Sequence, residues 1–217
     1  MRLHWPDCRN VRDLGGLPAA GGRTVRERAL VRADSLNRLT AEGVAALRAH
    51  GVVRTIDLRA GEETARWPSA LAGDAMYWPL PFVDPDNDPA RDLADLAPLS
   101  EVYRLSVIGN APRAAAAVAA VADAPPGAVL VHCAAGQDRT GILVALLLRV
   151  AGVPDDVIAE DYAYSAVCRD RPGEADPGTI LAALERVDER HGDVDAYLLA
   201  HGLSERQLGA LRARLVG

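Results

Sequence analysis

The chain contains no lysine; all 24 of its strongly basic residues are arginine. With the heavy alanine content, that bias reads as the imprint of a GC-rich genome and not as a functional device. Cysteine is scarce as well. Cys8, Cys133 and Cys168 are an odd and sparse set, which argues against a disulfide scaffold and fits a reducing, cytoplasmic setting. No apolar run reaches the roughly 18 residues of a membrane span, and the opening stretch Met1–Cys8 lacks the apolar segment of a secretory signal. Positive charge is in deficit: the formal net charge is −6, which argues against nucleic acid or an anionic membrane as partners. No internal repeat or clear boundary interrupts the chain. Its 217 residues, 49% hydrophobic, are therefore expected to form one domain, 1–217, with a sizeable core.

Against these absences stands one dense stretch, Val129-Leu-Val-His-Cys-Ala-Ala-Gly-Gln-Asp-Arg-Thr-Gly141. The apolar run Ala128 to Val131 reads as a buried strand, and Ile142 to Val150 as a buried helix. Between them lies a tight loop in which five residues separate Cys133 from Arg139. A loop running from a strand into a helix N-terminus can aim successive backbone N–H groups at one point and so cradle an anion. Arg139 adds a planar fork that matches phosphate oxygens two at a time. The field inside such a cradle favours a thiolate over a thiol. Anion receptor and nucleophile thus share one loop, the arrangement of a cysteine-dependent phosphatase.

Elsewhere the pattern alternates. Gly15 to Gly22 is turn-rich and reads as a link between short strands. Thr40 to His50 reads as a helix, with Thr40 as N-cap and Glu42 in its first turn. Val52 to Leu58 and Met76 to Leu80 read as parallel strands. Pro79 to Pro98 carries five prolines and five aspartates, the composition of a mobile loop or lid. Arg113 to Ala122, Pro154 to Cys168, Pro177 to His191 and Ser204 to Leu215 read as helices. Strands alternating with helices imply an α/β fold with a mostly parallel sheet. The Cys133 loop would then sit at the carboxyl edge of a central strand, where such sheets place their ligands.

His-Cys-x5-Arg-Thr resembles the active-site loop of the protein tyrosine phosphatase superfamily. Asn10-Val-Arg-Asp-Leu-Gly-Gly16, Leu30-Val-Arg-Ala-Asp-Ser-Leu36 with Leu39-Thr40, and Thr55-Ile-Asp-Leu-Arg59 with Glu62 are similar to N-terminal blocks of its bacterial tyrosine/serine phosphatase-like family. Asp161-Tyr-Ala-Tyr-Ser165, Tyr197-Leu-Leu and Gly202-Leu-Ser-Glu-Arg206 are similar to its C-terminal blocks. The resemblance runs from about Asn10 to Leu215 and implies a protein tyrosine phosphatase-like fold, with the central sheet flanked by helices. It also implies metal-independent hydrolysis of phosphate monoesters, without a cofactor. One residue departs from the pattern: where the family's loop carries lysine this chain has Gln137. In relatives acting on polyphosphorylated lipids that lysine is thought to engage an extra phosphate, so the departure disfavours phosphoinositides.

Roles follow residue by residue. Cys133 is the expected nucleophile, and Arg139 the expected clamp on two equatorial oxygens; an arginine in a first helical turn opposes the helix dipole and calls for an anionic partner. Ala134, Ala135, Gly136, Gln137 and Asp138 contribute mainly backbone N–H groups, with Gly136 free to take a positive φ. Asp138 corresponds to the loop aspartate that the family is thought to use as general acid; stabilising the helix N-terminus is its other use, and Asp84 and Asp57 are rivals for the acid. Thr140 either donates its hydroxyl to the Cys133 sulfur or caps the helix. His132 orders the loop through its ring; a metal reading of His132 and Cys133 lacks a second pair of ligands. Asp57 and Arg59 support the loop, line the substrate rim or pair with each other, and Cys8 and Cys168 are packing residues. The expected partner is a phosphorylated protein. A small phosphorylated metabolite is the rival, and a phospho-ligand binding module without turnover is the alternative from another class.

Overall fold

The computed structural model describes residues 1–84 and 96–217. The lid expected over Pro79 to Pro98 falls mostly on residues outside those described, as do Asp86, Asp88, Asp92 and Asp95.

A five-stranded sheet carries the fold. Its strands are β1 (Arg12–Asp13), β4 (Leu30–Ala33), β7 (Ala128–His132), β5 (Val52–Asp57) and β6 (Tyr77–Pro79), in that spatial order. Only β1 runs antiparallel to its neighbour. The strands β2 (Pro18–Ala19) and β3 (Arg23–Thr24) form a small separate hairpin. β7 lies at the centre with all five residues buried, as expected of a parallel strand covered on both faces. Its residues alternate: Val129 and Val131 face one core cluster, Ala128 and Leu130 the other.

The larger core cluster lies against helices α3 (Leu99–Gly109), α4 (Ala111–Ala122), α5 (Asp138–Val150), α6 (Asp155–Arg169), α7 (Pro177–His191), α8 (Val194–Ala200) and α9 (Glu205–Leu215). The smaller one packs Val31, Ala33 and Leu130 under Leu47 of α1 (Ala41–Ala49) and under Trp5 and Leu36 of the flanking segments. Thr40 caps α1, its Oγ1 accepting from the Gly43 amide at 3.2 Å. From Ile142 to Leu148 α5 is apolar all round, and every residue there is buried. Such a helix can exist only as a core element. Each leucine so buried stabilises the fold by about 1.5–3 kcal/mol relative to an exposed one.

Several elements differ from expectation; α3 and α8, for two, had not been expected as helices. α5 begins at Asp138, four residues before the apolar run, because its polar first turn forms the site. β4 had not been expected as a strand: Arg32, a charge in mid-run, hides the pattern, yet it is buried. α2 (Gly61–Arg66) starts without a side-chain cap bond and is likewise silent in the sequence. No single helix among the described residues is long and apolar enough to cross a membrane; α3 and α4 satisfy that test only together, across a 73° bend.

Candidate active site

β4, β5 and β7 run parallel and end on one edge, so the segments following them meet there. The loop after β7 stands in the middle. Its carbonyls are tied outwards: Ala134 O accepts from the Ser35 amide at 3.0 Å. Asn10 Nδ2 donates to both Ala135 O and Gly136 O at 3.0 Å, and the Arg32 guanidinium donates to Gly136 O at 2.7 Å. The N–H groups are left over. Among the described residues, no amide from Ala134 to Thr140 donates to an acceptor, so a run of donors is held ready at a helix N-terminus for an external anion.

Gly136 makes this path possible. It has φ +66°, and a Cβ there would lie 2.4 Å from Ala33 O, inside the backbone of β4. Behind the loop stands a buried charge network: Asp161 on α6 receives Arg12 Nε at 2.7 Å and Arg32 at 2.6 Å. Burial works against the Asp161 charge, but the two guanidiniums outweigh it and hold the carboxyl below its ordinary range. The family-like blocks around Arg12, Arg32 and Asp161 thus converge on one object, the back of the loop.

Cys133 is 1% exposed at the floor. Arg139 projects from the first turn of α5 and is gripped by Glu63 of α2, whose Oε1 lies 3.0 Å from it. Burial opposes the Arg139 charge, yet the Glu63 carboxylate, with Cys133 and Asp138 nearby, holds the guanidinium above its ordinary value. Glu63 also accepts the Ala60 amide at 2.9 Å, which fixes its rotamer. The acidic residue that meets the loop is therefore Glu63 and not its neighbour Glu62.

Asp138 accepts the Tyr103 hydroxyl at 2.6 Å, and Tyr103 in turn meets the Tyr162 hydroxyl at 2.9 Å. Both tyrosines are buried, and neither had been singled out in the sequence. Their rings join α3 and α6 edge to face across α5, contacts of 35 and 59 residues' separation that local pattern cannot reveal.

The rival acids are otherwise engaged. Asp57 is fully buried; Arg59 pairs with it at 2.7–3.1 Å and the Tyr77 hydroxyl donates to it at 2.8 Å. Burial would raise its pKa, but His132 and Arg59 outweigh burial and keep it below the usual carboxylate range, the wrong direction for a proton donor. Asp57 and Arg59 thus form an ion pair beneath the site, and a place on the substrate rim is corrected by their burial. Asp84 lies 3.3 Å from Arg113.

His132 is buried, with Nδ1 3.2 Å from the Cys133 carbonyl. That oxygen can only accept, so the proton sits on Nδ1 and the ring orders the loop backbone. Burial, only partly offset by Asp57, depresses its pKa. Thr140 corrects an expectation. Its Oγ1 is buried without a hydrogen-bond partner among the described residues, so it neither bonds Cys133 nor caps α5; the first turn carries it inward, against the core. The Gln137 side chain turns away from the cradle, donating to Glu174 O at 2.8 Å and accepting from Arg169. Cys8 donates to Asp34 at 3.0 Å; burial, then the Asp34 charge, pushes its thiol far up. Cys168 is buried and free.

The family model described as "Tyrosine phosphatase family" matches residues 3–217. A tyrosine-protein phosphatase of Nostoc commune is 32% identical over 91% of this chain and 78% of its own length. The triple specificity protein phosphatase PtpB of Mycobacterium tuberculosis is 27% identical over 98% of each chain. Among solved structures, P. aeruginosa TpbA shares 20% identity over 82% of this chain and 89% of its own, with a TM-score of 0.42.

Proposed function

Because this chain belongs to the tyrosine phosphatase family, whose members are phosphoric monoester hydrolases, we propose that it removes phosphate from phosphotyrosine and phosphoserine proteins with the loop Cys133–Arg139 as its catalytic centre. The observation that carries the site assignment is the orientation of that loop: carbonyls anchored outwards, amides from Ala134 to Thr140 unspent, and Cys133 at the floor.

The Cys133 thiolate attacks phosphorus in line. As the P–S bond forms, the P–O ester bond breaks, and the Asp138 carboxyl gives its proton to the leaving oxygen. Charge on the equatorial oxygens is met by the amides of Ala134, Ala135, Gly136, Gln137 and Asp138 and by the fork of Arg139. Water then attacks the phosphocysteine, gives its proton to the Asp138 carboxylate, and displaces the thiolate. Glu63 keeps Arg139 aimed, Tyr103 keeps Asp138 aimed, and Asn10, Arg32 and His132 hold the loop. Arg59 and Asp57 support it from beneath.

The test is hydrolysis of p-nitrophenyl phosphate at mildly acidic pH in EDTA. The wild-type protein should turn over, and Cys133→Ser should lose activity by at least about a thousandfold. Comparable activity in both would overturn the mechanism. Substrate class is read by kcat/KM on phosphotyrosine peptides against sugar and nucleotide phosphates; a hundredfold preference for the small metabolites would overturn the protein-substrate reading.

A further inference from the structure

Beside the loop, on the side of α6, lies a cleft of about 340 Å³ lined by Arg9, Asp34, Ala134, Ala135, Arg169 and Arg171. Two of these residues are the loop itself, so anything seated in the cradle borders the cleft. The other walls are cationic, in a chain whose net charge is −6. Arg9 is exposed, and its guanidinium has no acidic partner among the described residues. Arg169 and Arg171 share one carboxylate, Glu174, at 3.1 and 3.6 Å. The other acid, Asp34, accepts from the amides of Arg9 and Asn10 and from the Cys8 thiol, each within 3.0 Å of its Oδ1; these donors are neutral, so Asp34 keeps its charge and the three guanidiniums face two carboxylates. The positive charge of this cleft is therefore only partly neutralised from within.

Gln137 explains how one of these cations comes to be there. Its amide is clamped between Arg169 and the Glu174 carbonyl, so the loop position without a cation receives one from the end of α6. A lysine at 137 would have faced Arg169 as a like charge. The residue at 137 and the arginine at 169 thus form one device that sets positive charge at the rim of the cradle, outside it.

We propose that this cleft is a second-anion subsite, and that it takes an acidic side chain flanking the phosphorylated residue of a peptide substrate. The inference rests on the phosphatase reading above. The space suits a carboxylate and the few atoms that carry it, and Arg171, with 64% of its side chain exposed, leaves the chain room to run out into solvent. An anionic lipid surface fits less well, because the net negative charge of the whole molecule repels it. Exposed ion pairs of this kind act mainly as selectors between substrates.

The experiment measures binding to the Cys133→Ser protein, which holds substrate without turning it over. Two phosphotyrosine peptides are compared, identical except for Glu-Glu or Gln-Gln beside the phosphotyrosine. The acidic peptide should bind about fivefold more tightly at low ionic strength, the factor expected of two or three exposed pairs, and the preference should shrink as salt is added. In the Arg9→Ala/Arg171→Ala variant, whose changes lie on the surface, the two affinities should come within about twofold. No preference in the parent, or an undiminished preference in the variant, overturns the subsite. A bisphosphorylated sugar that binds as tightly, with the same dependence on both arginines, overturns the peptide assignment. The phosphatase reading fails on a separate measurement, the absence of wild-type turnover of p-nitrophenyl phosphate.

Discussion

Asp138 occupies a position where two physical demands meet. At the first residue of α5 it complements the helix dipole, and in the proposed reaction it also handles the leaving group's proton. The Tyr103 hydroxyl at 2.6 Å reconciles these uses by fixing one carboxyl oxygen, so that the proposed proton transfer falls to the other. General acid catalysis matters in proportion to how poor the leaving group is. Asp138→Asn is therefore expected to cost about a hundredfold in kcat/KM, which reports the ester-cleaving step, on phenyl phosphate, and less than about tenfold on p-nitrophenyl phosphate, whose leaving oxygen needs little help. Tyr103→Phe should follow the same ranking at smaller size. Equal losses on both esters would remove Asp138 from the acid's role. At this scale much was readable beforehand: the spacing of Cys133 and Arg139 is a loop-sized constraint, and Asp138 falls inside it. Glu63 and Tyr103 were not readable, because 76 and 35 residues separate them from the loop residues they hold. No local periodicity encodes such contacts.

Among the elements, α5 has the most to lose. It is covered by the sheet on one side and by α4, α6, α7, α8 and α9 around the rest, and its N-terminus is the site. Truncating a fully buried leucine leaves a cavity that dense packing cannot refill. Leu146→Ala is expected to destabilise the fold by about 2–5 kcal/mol in urea unfolding, and a loss below about 1 kcal/mol would show that the helix repacks freely. The apolar run that announced this helix was plain in the sequence; its first turn was not, since Asp138, Arg139, Thr140 and Gly141 bear no apolar signature. β4 was hidden for a related reason. Arg32 is buried only because Asp161 and the Gly136 carbonyl receive it, and a buried cation reads as a surface residue until its partner is known. α3 follows the prolines of residues 79–98, and its N-cap, Pro98, offers no side-chain bond, so only Glu101 in its first turn marks its start.

For the molecule as a whole, the buried charges beneath the loop set the response to acid. The pKa of His132 is depressed in the fold, so as pH falls below about 6.5 the unfolded chain takes up a proton that the folded chain refuses, and stability declines. Asp161 is depressed as well. Its contribution is complete above about pH 4 and is lost as the pH drops through the lowered value. A titration of Tm should thus show a shallow fall beginning near pH 6.5 and a steeper one below about pH 4. His132→Gln should flatten the first, and a wild-type Tm that stays level from about pH 7 to pH 5 would sink the histidine argument. The α/β layering behind this behaviour followed from alternation alone, while the buried ionic floor, assembled from Arg12, Arg32, Asp57, Arg59 and Asp161, did not, because its pairs meet only once the strands are in register. That floor also bears on what happens after turnover. Asn10 and Arg32 shape the cradle from below, with no help from the ester's organic part. A receptor so complete in advance greets a free orthophosphate ion much as it greets an esterified one. In the proposed reaction the enzyme is thus throttled by its own product, and its rate in a cell follows the local phosphate concentration as well as the supply of substrate.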